Sequence, residues 1–166
     1  RETVRVKDWV DGAGLPDNCP EVSSPRIDKV DQTLQSWVNG SVPTSALPWK
    51  DWLYQERYRF LSNLPDGTEA ARMAELDATW QINSTGNNEV LFAWLEQCIR
   101  SGHAPAYPRL ERFLVEVGRR KFLTPLYSAM VETDQKDMAL RIYKLARGRY
   151  HSVSTGTMDG LLGWTE

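Results

Sequence analysis

The 166-residue sequence is the size of one domain, and a chain of that length buries roughly 70% of the surface its unfolded form exposes. Hydrophobic residues make up 41%, charged residues 25% and the net charge is −2, an ordinary globular composition that gives no global pull toward nucleic acid. Cys19 and Cys98 are too few for a disulfide scaffold and belong to no C-x-x-C or Cys/His cluster. No apolar run reaches the roughly 18 residues a membrane span needs, and no charged-then-apolar signal segment opens the chain.

The first 24 residues read as irregular, because "DWVDGAGLPDNCPEVSS" mixes Gly, Pro and Asp/Asn/Ser with apolar residues at no helical period. Ser24-Pro25 is then a helix start, and Ile27, Val30, Leu34, Trp37 and Val38 recur on one face until Asn39-Gly40 stops it. A short turn around Trp49 and Trp52 precedes a helix carrying Tyr54, Tyr58, Leu61 and Leu64, closed by Pro65 and Gly67. Thr68 can cap the next helix, whose apolar positions are Ala70, Met73, Leu76 and Trp80. "INSTGNN" is a loop ending in an Asn cap. "EVLFAWLEQCIRS" follows with the clearest amphipathic stripe, Val90, Leu91, Trp94, Leu95, Cys98 and Ile99. Tyr107, Leu110, Phe113, Leu114 and Val117 mark another helix, ended by Gly118. A further one runs from Thr124-Pro125 to about Thr133, and Asp134 to Tyr150 forms the last through Met138, Ile142, Tyr143 and Ala146.

No segment alternates with period two, so the expected fold is all-α. Short connections force antiparallel neighbours, which suggests an armadillo- or HEAT-like stack of helix pairs, an α-α superhelix, with a compact irregular bundle as the alternative. The expected organisation is an irregular segment over 1–24 leading into a single helical domain over 25–166. Most of the seven tryptophans sit at helical spacing and read as core anchors, as does Cys98.

Arg119, Arg120 and Lys121 stand between two apolar runs. Gly118 reads as a left-handed helix terminator, which leaves Arg119 to Leu123 as an extended linker. In an extended segment side chains at i and i+2 point the same way, so Arg119 and Lys121 converge and Arg120 faces away. A fork and a point charge together suit a carboxylate or phosphate. The competing reading, which the residues alone favour, is that these cations neutralise the carbonyl end of the preceding helix.

The two histidines, His103 and His151, lie in no metal-ligand spacing and read as surface or capping residues. There is no G-x-S-x-G, P-loop or Rossmann glycine fingerprint, and no catalytic or metal-ligating residue can be named. The chain by itself reads as non-catalytic.

The "NNEVLFAWLEQCI" helix (Asn87 to Ile99), the "GRRKFLTPLY" segment and the "YHSVST" run (Tyr150 to Thr155) closely resemble the C-terminal helical domain of the leukotriene A4 hydrolase family, M1-type zinc aminopeptidases. "DWVDGAGLP" (Asp8 to Pro16) looks like the lead into that domain. The likeness is strong from Asn87 to about Thr155 and weaker between Val22 and Ile82. It implies an armadillo-like domain packed against the chain's own N-terminal catalytic domain, closing one side of a substrate cleft. In that family a Gly-Arg-x-Lys-Phe segment binds the free carboxylate of a peptide or of a lipid epoxide. By position these are Arg119 and Lys121, so the resemblance reverses the preference for helix-end charges at those two residues and gives Arg120 no role. The family's zinc ligands, general base, amine-recognition motif and transition-state tyrosine all belong to another part of the enzyme.

The resemblance thus implies a fragment of a longer metallopeptidase, which the start at Arg1 also suits. It would act on short peptides, with zinc bound outside this fragment, and its usual location is cytoplasmic. No nucleic-acid or membrane partner is expected. The alternative is a stand-alone helical-repeat module that binds a protein partner without catalysis. Nucleic-acid binding through Arg119 to Lys121 and Arg147/Arg149 is a third and weaker reading.

Overall fold

In the computed structural model, which describes residues 4–20 and 23–165, nine α-helices and no strand form among those residues. The helices are α1 (Val6–Asp11), α2 (Pro25–Val38), α3 (Tyr54–Ser62), α4 (Ala70–Trp80), α5 (Asn88–Ser101), α6 (Tyr107–Glu116), α7 (Arg120–Glu132), α8 (Lys136–Ala146) and α9 (Ser152–Leu162). One row packs α3 on α5, α5 on α7 and α7 on α9, while α4 and α6 cover α5, and α8 covers α7 and α9. This is the all-helical stack that the short connections imply.

Local signals set most boundaries. Pro25 begins α2, Asn39 is its C-cap, and Gly40 follows at φ 80°, a left-handed conformation that glycine adopts without strain. The Asn87 side chain accepts from the amides of Glu89 and Val90 at 2.9 and 3.1 Å and so caps α5. Gly102, at φ 69°, ends it. Between these stops α5 buries Val90 to Leu95, Cys98 and Ile99, which is wider than one stripe because neighbours approach it from several sides.

Four tryptophans, Trp37, Trp49, Trp52 and Trp94, are core residues; Trp80 and Trp164 are partly buried and Trp9 is exposed. Trp37, Trp49 and Trp52 all pack on Phe60, with ring centroids 5.7, 6.3 and 5.3 Å away. Cys98 is buried as expected, and loss of hydration pushes its thiol well above the ordinary range, so it stays protonated.

Several expectations change. Within the segment expected to be irregular, α1 forms and leaves Val6, Trp9 and Val10 exposed; residues 1–3 and 21–22 of that segment lie outside the described residues. Of the expected apolar positions of α3 and its end, Leu61 and Leu64 are buried but Tyr54 and Tyr58 are exposed, and Phe60 and Glu56 are buried in their place. Glu56 is satisfied by a two-bond pair with Arg26 at 3.1 and 2.7 Å and by the Leu53 amide at 2.8 Å. The Thr68 hydroxyl bonds the Pro65 carbonyl at 2.8 Å instead of capping α4, whose N-cap is Glu69. His103 is buried, its ring edge-on to Trp94 at 5.9 Å, because the turn after α5 folds back over that helix.

The largest difference is at the C-terminal end. The expected helix from Asp134 to Tyr150 is α8, ending at Ala146, followed by a 3₁₀ turn over Arg147–Arg149 and then by α9. Two glycines and a Ser/Thr-rich start weaken the helical pattern of α9, and tertiary contacts compensate. Met158 and Leu162 are buried, and Trp164 packs edge-on against Tyr143 at 5.4 Å. The Tyr143 hydroxyl donates to Asp159 Oδ1 at 2.6 Å. Arg147 grips both oxygens of the same carboxylate at 3.0 Å each.

These donors, Arg147 before Tyr143, hold the Asp159 carboxyl below the usual carboxylate range. The folded value lies below the unfolded one, so the linked stability is present above about pH 4 and disappears as pH falls through the folded value. Asp159→Asn is therefore expected to be less stable at neutral pH and to lose less stability between about pH 4 and pH 2 than the parent chain. Denaturant unfolding measured across that range checks it, and identical pH slopes would contradict it.

Candidate functional site

The three cations lie where α6 gives way to α7. The junction is short: α6 ends at Glu116 and α7 begins at Arg120. Gly118 is not among the left-handed glycines, so it is not the terminator the sequence suggested. Of the span from Arg119 to Leu123 only Arg119 is extended, as the N-cap at φ −77°, ψ 117°. Arg120 and Lys121 occupy the first helical turn, and Pro125 lies inside the helix. Pro125 removes only the amide that would bond the Lys121 carbonyl, a loss the packed helix tolerates.

The expected extended linker from Arg119 to Leu123 is thus absent, and so is the placement of these cations at a carbonyl end. Arg120 and Lys121 sit instead at the amide end of α7, where the helix dipole is already positive. Arg119 and Lys121 each lie near one aromatic ring. The Arg119 guanidinium carbon is 5.4 Å from the centroid of the Phe122 ring and Lys121 Nζ is 5.1 Å from the same centroid. Phe122 is buried and packs against Phe92 of α5 at 5.2 Å and Phe113 of α6 at 5.7 Å. Both exposed cations thus border one core aromatic.

Their partners differ. Lys121 Nζ lies 2.6 Å from Glu89 Oε1, on the first turn of α5, with side chains 50% and 31% exposed. Among the described residues neither Arg119 nor Arg120 forms an ion pair or hydrogen bond through its side chain, and both are exposed. Nor does any side chain cap α7, whereas Asn87 caps α5 and His151 Nδ1 accepts from the Val153 amide of α9 at 3.2 Å. The His151 capping role is the one the sequence allowed.

Beneath the junction is a tyrosine lattice. The Tyr150 hydroxyl donates to the Leu114 carbonyl of α6 at 2.6 Å, so its oxygen accepts from Tyr127 of α7 at 3.2 Å. Burial raises both phenols, Tyr150 to about 12, so both remain protonated donors. The Ser154 hydroxyl of α9 donates to the Gly118 carbonyl at 3.3 Å. Together these bonds tie the α6–α7 junction to the start of α9.

The sequence named Arg119 and Lys121 but neither Glu89 nor Phe122. The signal for Phe122 was present, because Phe122, Leu123, Leu126, Tyr127 and Met130 keep helical spacing across Pro125. No signal for Glu89 exists in the sequence, since its contact spans 32 positions. Clefts of about 590 Å³ beside Arg26 and Trp52 and of about 560 Å³ beside Arg112 and Leu145 lie elsewhere. No group of three or more His, Cys, Asp or Glu among the described residues could hold a metal ion, and no described helix is long and apolar enough to cross a membrane.

Residues 52–162 match the family model described as leukotriene A4 hydrolase, C-terminal. Over its whole length the chain is 26% identical to leucine aminopeptidase 2 of Neurospora crassa, covering 26% of that protein. Over 92% of its length it is 25% identical to leucine aminopeptidase 2-1 of Meyerozyma guilliermondii and 23% identical to leukotriene A-4 hydrolase of Xenopus laevis, covering 27% and 26% of them. The chain thus spans about a quarter of the length of these curated relatives.

The lattice under the cations makes a stability prediction. Tyr150→Phe leaves the Leu114 carbonyl and the Tyr127 hydroxyl without their buried partner and is expected to cost about 1 to 3 kcal/mol. Denaturant titration measures it, and a change within a few tenths of a kcal/mol would show that the lattice does not hold the junction.

Proposed function

The chain belongs to the leukotriene A4 hydrolase C-terminal family, and we propose that it is the substrate-closing domain of a zinc-dependent aminopeptidase, in which Arg119 and Lys121 bind the free carboxylate of a short peptide. The observation that carries this reading is the arrangement at the start of α7. An exposed guanidinium that has no ion pair among the described residues and an ammonium both lie near the Phe122 ring, at the amide end of a helix without a side-chain cap. Cations at that end disfavour one another and the helix dipole, and an incoming anion relieves both. Arg119 supplies a planar fork for two carboxylate oxygens, and Lys121 keeps two N–H donors beyond the one facing Glu89.

Holding the far end of a peptide fixes its register, so that the scissile bond at the other end meets the catalytic groups. Those groups, with the zinc that would supply Lewis-acid chemistry when bound, belong in this reading to the N-terminal catalytic domain of the same polypeptide. None of the described side chains here is grouped to hold a metal. The domain's own work is to bind and position. The proposed location is cytoplasmic, following the family's habit.

In the full-length polypeptide that carries this chain, Arg119→Ala is expected to lower kcat/KM for tripeptides with a free carboxyl terminus by roughly ten- to a hundred-fold, the range of one charge-assisted hydrogen bond, and much less for the same peptides amidated. Equal losses on both would contradict the carboxylate role. An absence of aminopeptidase activity in the unmutated polypeptide would overturn the whole reading.

A further inference from the structure

Glu89 is the one carboxylate paired with the proposed clamp. It sits on the first turn of α5, its amide tied to the Asn87 cap at 2.9 Å, so its backbone is fixed and only its side chain can move. Its Oε1 lies 2.6 Å from Lys121 Nζ, and the pair is half-exposed, with no other ion-pair partner for either residue among the described ones. The pair at Arg26 and Glu56, by contrast, is bidentate with a buried carboxylate. Here the contact is a single bond at the rim, which by itself contributes little to stability. It does set the local charge. Glu89 offsets one of the three cations there, Arg119, Arg120 and Lys121.

Resting on the carboxylate-clamp reading above, we propose that Glu89 is a specificity-determining residue: it holds Lys121 in place for a single carboxylate and repels ligands that bring a second negative charge to the same spot. A peptide ending in a neutral residue places one carboxylate between the Arg119 fork and the two remaining Lys121 donors, leaving the Glu89 bond intact. A peptide ending in Asp or Glu places its side-chain carboxylate in the same neighbourhood, where it meets the Glu89 oxygens. The clamp therefore takes peptides with neutral C-terminal side chains and discriminates against acidic ones.

The test uses kcat/KM ratios within each protein, so that any loss of folded material cancels. In the full-length polypeptide, two tripeptides differing only in a C-terminal Asn or Asp are compared before and after Glu89→Gln, which keeps size and a hydrogen-bond acceptor for Lys121. The Asp/Asn ratio is expected to rise about four-fold, the factor that one unit charge about 5 Å away gives in a water-like dielectric. Raising the salt should lift the unmutated protein's ratio toward that of the variant, a response that a purely structural Glu89 would not give. An unchanged ratio in Glu89→Gln, with Arg119→Ala still costing free-carboxyl peptides much more than amidated ones, overturns the role of Glu89 alone. Equal Arg119→Ala losses on free and amidated peptides would instead remove the clamp itself.

Discussion

The stack depends on covering one helix on more than one face. Val90 to Leu95, Cys98 and Ile99 of α5 are all buried, so α5 is stable only with α3 and α7 beside it in its own row and α4 and α6 across from it. Meeting that requirement fixes the spacing of the row. The site inherits the result: Phe92, on the side of α5 toward α7, packs on Phe122, and Phe122 borders Arg119 and Lys121 at the surface. The position of two exposed charges is therefore decided by core packing two residues deep.

A second consequence is the joining of helix starts. The first turns of α5 and α7 meet through Glu89 and Lys121, and α9 joins them through the Ser154 bond to the Gly118 carbonyl. The cations at the start of α7 make a local positive site in a chain whose overall charge is −2. Side chains accept from backbone amides at the starts of α3 (Glu56), α5 (Asn87) and α9 (His151). The start of α7 combines an amide end without a side-chain cap with three cations, Arg119, Arg120 and Lys121. The tyrosine lattice through Tyr127, Tyr150 and Leu114 keeps that start in place.

What the sequence made legible follows from how local each signal is. Asn87 before an apolar run and Pro25 after Ser24 are signals contained within a turn, and α2 and α5 begin where they imply. Phe122 and Leu123 already belonged to the α7 pattern, but Pro125 outweighed them, because a proline at a first helical turn is commoner than one tolerated deeper inside. Helix α9 escaped because its stability is tertiary: Asp159 is held by Tyr143 and Arg147, and no period in "SVSTGTMDGLL" announces it. The inward face of α3 turned on Glu56, a carboxylate buried only because Arg26 reaches it from α2. At the site, the family likeness selected the same two cations that the extended-linker argument selected, although that argument's backbone was wrong. Glu89 needed the fold, since nothing local ties it to Lys121.

The central claim is that Arg119 and Lys121 together receive a peptide carboxylate. The most direct measurement is a crystal structure of the full-length polypeptide with a non-hydrolysable tripeptide bound. The account predicts the peptide's terminal carboxylate within about 3 Å of both the Arg119 guanidinium and Lys121 Nζ, with Glu89 still against Lys121. A bound peptide whose carboxylate lies elsewhere, with Arg119 facing solvent, would contradict it.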